Sequence, residues 1–425
     1  MVVALATMAG LSTADAETPS GAVERLLASQ RAALESAPEL AARMHELAAA
    51  EAAARSVRGA GTPYVEWQSE GFESGFDRAP NAQDTLRLGA PFNYPWNWGE
   101  GRRLEDATLL WTGAGREVAR LELAAEVGRR WLDLAAVTER IDVIGQRLAR
   151  LDEALNLQEA KYQLGEVAGT DVAQLDLEHV RESSRLADLE GEARGLRARL
   201  QELCGNGCIE PMGGDLEELV TLSTAPNDVV TEESVEAGAP YRSVLGEAEA
   251  ARARADLVSA TAFGRPAVEA EWEQFPSLEG LPGYDAWGFR LSVPLPIGSA
   301  GRQLRSAARA EVEAAESNLE TARRRYLQRI ESEVAAAEGA RRRLSALGTV
   351  LGDLEQVEHS LSQQFRLGAI RYLVYIDGLS RLDDVRLEAI EARDQLLRSR
   401  LELAALTGDT ALFPIEVVAQ EEDPQ

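Results

Sequence analysis

The sequence predicts a mostly helical protein with a β-barrel portion, assembled from an internally duplicated strand-strand-long helix-helix unit. Three observations carry that prediction. Apolar residues recur at steps of three and four over two very long segments. The period changes to two in a pair of short segments just ahead of each. The same punctuation, YQLG at 162–165 and FRLG at 365–368, returns 203 residues later, which marks a repeat in sequence order.

Composition sets the outer limits. A chain of 425 residues with 45% hydrophobic residues could fill two or three ordinary domains and bury a sizeable core. Its 71 acidic against 44 basic residues leave a formal charge of -27, which repels nucleic acid and suits a surface that meets cations or a basic partner. The three histidines (His45, His179, His359) and two cysteines (Cys204, Cys208) form no ligand cluster, so no zinc-type metal site is expected, although a carboxylate-only site stays open. No phosphate loop, nucleophile elbow or supported acid-base pair appears. No catalytic residue and no cofactor are therefore expected.

Taken in order, residues 1–16 run from an apolar stretch into Ala14-Asp15-Ala16, a small-x-small cleavage pattern ahead of Glu17. This reads as a signal peptide lacking its basic start, or else as a plain flexible N-terminus. Glu17 is not a cysteine, so a lipid anchor at that point has no support. Export would permit a Cys204–Cys208 disulfide across CGNGC, where glycines let the chain fold back; two free thiols in a loop are the alternative. No window reaches the 18 or so uncharged apolar residues of a spanning helix. Any membrane crossing must use strands.

Residues 17–60 are expected as an N-terminal helix and 61–98 as a first β-hairpin. In the hairpin Val65, Trp67 and Ser69 oppose Glu66, Gln68 and Glu70, and Leu86, Leu88 and Ala90 oppose Arg87 and Gly89. The first helical hairpin, 99–204, has a heptad seam through Leu134, Val137, Ile141, Ile144, Leu148, Leu151 and Leu155, a tip near Gly165, and a return helix from about Asp171. Residues 205–240 break both periodicities and read as an irregular linker whose acids serve solubility or docking.

A helix over 241–263 precedes the second β-hairpin, 264–297. There Val268, Ala270 and Trp272 oppose Glu269, Glu271 and Glu273, and Trp287, Phe289, Leu291 and Val293 oppose Gly288, Arg290 and Ser292. The second helical hairpin, 298–408, carries Leu347, Leu351, Leu354, Leu361 and Phe365 on one side, with a tip near Gly368; 409–425 form a tail. Strands apolar on one face and charged on the other suit a barrel with lipid outside and water inside, though they also describe a soluble sheet. Two hairpins cannot close a barrel without leaving backbone groups unpaired in hydrocarbon, so a barrel here would be shared between subunits.

The order of these parts, twice over and with matching intervals (Arg87 to Arg290 and Gly165 to Gly368, both 203), resembles a TolC-type outer membrane efflux protein, the exit duct of tripartite export systems. The likeness covers nearly everything from Val23 to Gly408. It implies a homotrimer in the bacterial outer membrane, sharing a twelve-stranded barrel set in lipid and a long helical periplasmic tunnel. It also implies a periplasmic adaptor and an inner membrane pump, of the RND type, as partners. The family pattern places an acid six residues after the tip glycine and, in the second repeat, another at nine. Asp171 and Asp377 match it as aperture candidates, while Val374 departs from it. Asp171 could instead cap its helix.

The resemblance makes Leu164, Gly165, Leu367 and Gly368 adaptor-contact tips. It makes Glu66, Glu70, Glu269, Glu271 and Glu273, with Arg87 and Arg290, a barrel lumen that is cation-preferring or merely wet. A soluble or periplasmic coiled-coil scaffold is the competing reading, and it leaves the four alternating strands without an explanation.

Overall fold

The computed structural model describes residues 21–58, 62–72, 78–92, 98–222, 232–262, 264–277, 282–294, 299–410 and 412–416. The expected signal segment, residues 223–231 of the linker and residues 417–425 lie outside them. The chain begins with α1 (Ala22–Ser36) and α2 (Pro38–Arg58). One N-terminal helix is expected from sequence and two are present. Pro38 lacks an N–H and forces Ala37 out of the helical region, to φ -70° and ψ 118°, so the chain bends there.

Two strands follow, β1 (Tyr64–Phe72) and β2 (Arg78–Pro91), and then the long helix α3 (Trp98–Gln163) and its return partner α4 (Gly169–Cys204). Short helices α5 (Asp215–Leu222) and α6 (Glu232–Ala237) interrupt the linker. The plan then repeats as α7 (Ala239–Thr261), β3 (Ala267–Phe275), β4 (Tyr284–Ser292), α8 (Ala300–Arg366) and α9 (Tyr372–Thr407). The 66 residues of α3 and 67 of α8 correspond to rods of about 100 Å at 1.5 Å per residue.

Helices of that length cannot bury themselves, so each is covered by shorter ones in series. Nearer the strands the order is α2, α3, α7, α8; nearer the tips it is α4, α3, α9, α8. The seam residues Leu134, Val137, Ile144 and Leu151 are buried as their spacing requires. Alanines line the contact of α7 with α3, and a Cβ on Gly246 would stand 2.8 Å from the Trp111 Cα, so only glycine permits that approach.

A third group of elements covers one face of α3. Trp131, fully buried, donates its indole N–H to the Ile209 carbonyl at 3.0 Å. Ser29 on α1 accepts from the Ile209 N–H at 2.9 Å. Cys204 and Cys208 form a disulfide that turns the chain from the end of α4 toward this dock. Arg25 and Asp215, both buried, pair beneath α1 and α5. The linker is thus stapled against α1 and α3 by satisfied backbone groups.

A two-faced sheet and two helical tips as the candidate functional site

The four strands form one antiparallel sheet in the order β1-β2-β3-β4. Its register brings the alternating residues of both repeats into shared rows. Val65, Leu88, Ala270 and Phe289 align in one, and Trp67, Leu86, Trp272 and Trp287 in the next; beyond them Ser69, Asp84, Gln274 and Asp285 make a polar row. The apolar rows are open: Trp67 is 69% exposed, Trp287 73% and Phe289 83%. On a protein surrounded by water a contiguous face of this kind needs a cover.

The opposite face holds Arg87, Arg290 and the five glutamates, and most of them are paired. Arg87 donates to Glu271 at 2.9 Å and lies 3.6 Å from Glu66. Arg290 reaches Glu269 at 3.4 Å and Glu271 at 3.3 Å. Glu70 accepts from Gln68 near the far end of β1, and Glu273 follows Glu271 on the same face. Five of the seven charged residues expected on this face therefore form one connected set. The sheet is two-faced, with apolar side chains in rows on one side and a connected set of ion pairs on the other.

At the opposite end both hairpins turn by the same device. The Gly165 N–H donates to the Tyr162 carbonyl at 2.9 Å and the Glu166 N–H to Lys161 at 3.0 Å; Gly368 donates to Phe365 at 3.0 Å and Ala369 to Gln364 at 2.9 Å. This pair of bonds closes a helix when the next residue is left-handed, and Gly165 (φ +74°) and Gly368 (φ +70°) supply that conformation. The preceding leucines are thrust outward, Leu164 75% and Leu367 82% exposed.

Of the two local roles open to Asp171, N-cap or first-turn acid, it has the second: it sits in the first turn of α4, and Ala168 is the N-cap. The chain leaves extended geometry at Ala168, three residues earlier. Asp377 lies on α9, exposed, and pairs with Arg381 one turn on at 2.9 Å.

Two features between the hairpins escape sequence reasoning. Just above the tips, Phe365 stacks on Tyr375 with centroids 4.6 Å apart and meets Tyr372 edge-on at 5.7 Å, packed on Leu151, Ala154 and Leu175. The Tyr372 hydroxyl is buried with no hydrogen bond among the described residues, and burial raises its pKa. Higher up, buried Arg147 on α3 donates to Glu182 on α4 at 2.9 Å. On α9 it donates to Asp383 at 3.2 Å, to Asp384 at 2.9 Å and to the Ser380 carbonyl at 2.8 Å. Arg150 and Arg386 add bonds to Asp383 at 2.6 and 2.9 Å and to Glu358 on α8 at 3.3 and 2.8 Å. All four lower helices meet in this cluster. Burial disfavours the Arg147 charge, yet its carboxylate partners more than offset that and raise its pKa.

Residues 245–409, from α7 through β3, β4 and α8 to the end of α9, match the family model for outer membrane efflux protein. That stretch is similar to the outer membrane efflux proteins. Beyond it the whole fold has known counterparts. The CmeC outer membrane channel of Campylobacter jejuni is 12% identical with a TM-score of 0.71, over 96% of this chain and 93% of that one. The outer membrane protein VceC of Vibrio cholerae is 17% identical at 0.71, over 91% and 96%. The open-state MtrE outer membrane channel of Neisseria gonorrhoeae is 16% identical at 0.71, over 92% and 90%. No curated protein sequence matches the chain. The family match thus covers the second repeat, and the first repeat has the same order of elements. No helix among the described residues is long and apolar enough to cross a membrane.

Proposed function

We propose that this chain is the outer membrane exit duct of a tripartite efflux system, passing substrates delivered from an inner membrane pump through a periplasmic adaptor. The observation that carries the reading is the two-faced sheet, whose exposed tryptophan and phenylalanine rows call for hydrocarbon and whose opposite face is ionic. Strands of nine residues in β1, β3 and β4 are long enough, tilted, to cross a bilayer core.

The sheet has two open edges, β1 and β4, and open edges are not tolerated in lipid. Three subunits supplying four strands each would close a barrel of twelve. The helices support the same closure: α8 ends the layer on one side, α2 and α4 on the other. The lumen would be lined by Glu66, Glu70, Arg87, Glu269, Glu271, Glu273 and Arg290, five acids against two bases in each subunit, which favours cations. At the periplasmic end Asp377 and Asp171 would line the aperture, with Leu164, Gly165, Leu367 and Gly368 meeting the adaptor. No step requires bond making; energy comes from the pump, which we take to be of the RND type.

The test is single-channel conductance of detergent-extracted protein in a planar bilayer, with its mass determined on the same sample and Asp377→Asn beside the wild type. Trimers that insert and pass current, with altered conductance or cation preference in the variant, are expected. A monomer that never inserts would remove the duct reading and favour a coiled-coil scaffold.

A further inference from the structure

The two open edges of the sheet carry opposite charge. On the ionic face β1 presents Tyr64, Glu66, Gln68 and Glu70, and β4 presents Ala286, Gly288, Arg290 and Ser292. Arg290 is the charged residue of its edge on that face. It is half exposed and reaches Glu269 and Glu271 only at 3.4 and 3.3 Å. Glu70 is exposed and bonds to Gln68, with no base beside it among the described residues.

The register inside one subunit levels Arg290 with Tyr64, by way of Glu269 and Gly89. A barrel cannot close on that level, because its strands tilt by about 35–45°. Four strands about 4.8 Å apart span about 19 Å of circumference, and each residue of offset at the seam adds about 3.4 Å along the strand. Offsets of two, four and six residues then give tilts of about 20°, 35° and 47°. An odd offset would turn the apolar rows inward. The strand ends fix the direction: four residues backward would set Arg290 against residue 60, before β1 begins at Tyr64. Four forward sets it against Gln68, with Glu66 and Glu70 on the diagonals, and six forward sets it against Glu70 itself. A long side chain reaches an acid across the seam in either case.

We propose that Arg290 on β4 forms an ion pair with Glu70 of the partner subunit, and that this pair sets the register of the seam between subunits. The inference rests on the duct reading and adds the residues that join one subunit to the next.

The test combines Leu291→Cys with Val65→Cys, Trp67→Cys or Ser69→Cys in the full chain, all on the apolar face, leaving the Cys204–Cys208 disulfide in place. Cross-linked chains are expected with Trp67→Cys, the pair for an offset of four, or with Ser69→Cys, the pair for six, and not with Val65→Cys. Arg290→Glu should lower the trimer yield in detergent about tenfold, since three seams each lose a cross-strand pair. Adding Glu70→Arg should recover the trimer, which a clash confined to β3 and β4 of one subunit would not allow. Trimers that pass current but cross-link through Val65→Cys, or through none of the three, would overturn the proposal and leave the duct reading standing, as would a double variant no better than Arg290→Glu alone. A wild-type protein that stays monomeric and never inserts would remove the duct reading and the seam with it.

Discussion

Arg147→Met tests whether the two helical hairpins are joined by charge. Methionine keeps most of the stem and donates nothing, so buried Glu182 loses its 2.9 Å donor and is left with Arg185 at 4.0 Å. Asp383 is cushioned, because Arg150 and Arg386 still reach it at 2.6 and 2.9 Å. One carboxylate is orphaned rather than two, which places the cost at the lower end of the about 3–5 kcal/mol found for breaking a buried ion pair. A loss of about 3 kcal/mol multiplies the opening equilibrium by about 150. Hydrogen exchange followed by mass spectrometry on the assembled protein should show that acceleration in peptides spanning 145–151 and 376–386 and not in those around Trp131. Adding Glu182→Leu should recover most of it, since the orphaned charge is removed with its partner. Exchange within about threefold of wild type, or a double variant as labile as the single, would refute the assignment.

Gly368→Ala places a Cβ at φ +70° with nothing nearby to clash, so its cost should be the backbone term alone, about 1–2 kcal/mol, read as a lowered Tm at fixed protein concentration. Cys204→Ser with Cys208→Ser removes closure of a five-residue loop, worth about 2 kcal/mol; limited proteolysis should then cut within residues 205–215. Glu139 is buried and accepts from the Gly214 and Leu216 N–H groups, and burial raises its pKa above the usual carboxylate range, offset by those bonds and by Arg393. A raised folded-state pKa gives stability that is full below the unfolded value and declines as pH rises through the folded one. Glu139→Gln should therefore flatten the fall of Tm with rising pH, and an unchanged pH profile would contradict the assignment.

The long helices and the strands were readable because each repeats one chemical preference along one face. Leu134 through Leu155 keep a seam, and Val268 through Trp272 keep an alternation, whatever else the chain does. The tips were readable because Leu-Gly marks a left-handed stop twice. The Arg147 cluster was not readable, since its partners Glu182, Asp383 and Asp384 lie 35 to 237 positions away, and an arginine between Ile144 and Leu148 looks like any solvated residue. Pairing across hairpins is a tertiary fact. The bend at Ala37 had a local sign, Pro38, but alanine and leucine periodicity on both sides masks it.

The seam between β2 and β3 has a consequence for the order of events. Pro91 pairs with Ala267, so these neighbours are separated by the entire first helical hairpin and the linker. Loop closure over that span is slow and waits on everything between. Each helical hairpin, by contrast, needs only a five-residue turn, from Leu164 to Ala168 or from Leu367 to Arg371. Folding should therefore run from the rods to the sheet, and the aromatic rows would be displayed last, once the rods that hold the strand roots are already in place. A chain that hides its water-averse surface until the end has less time in which to aggregate.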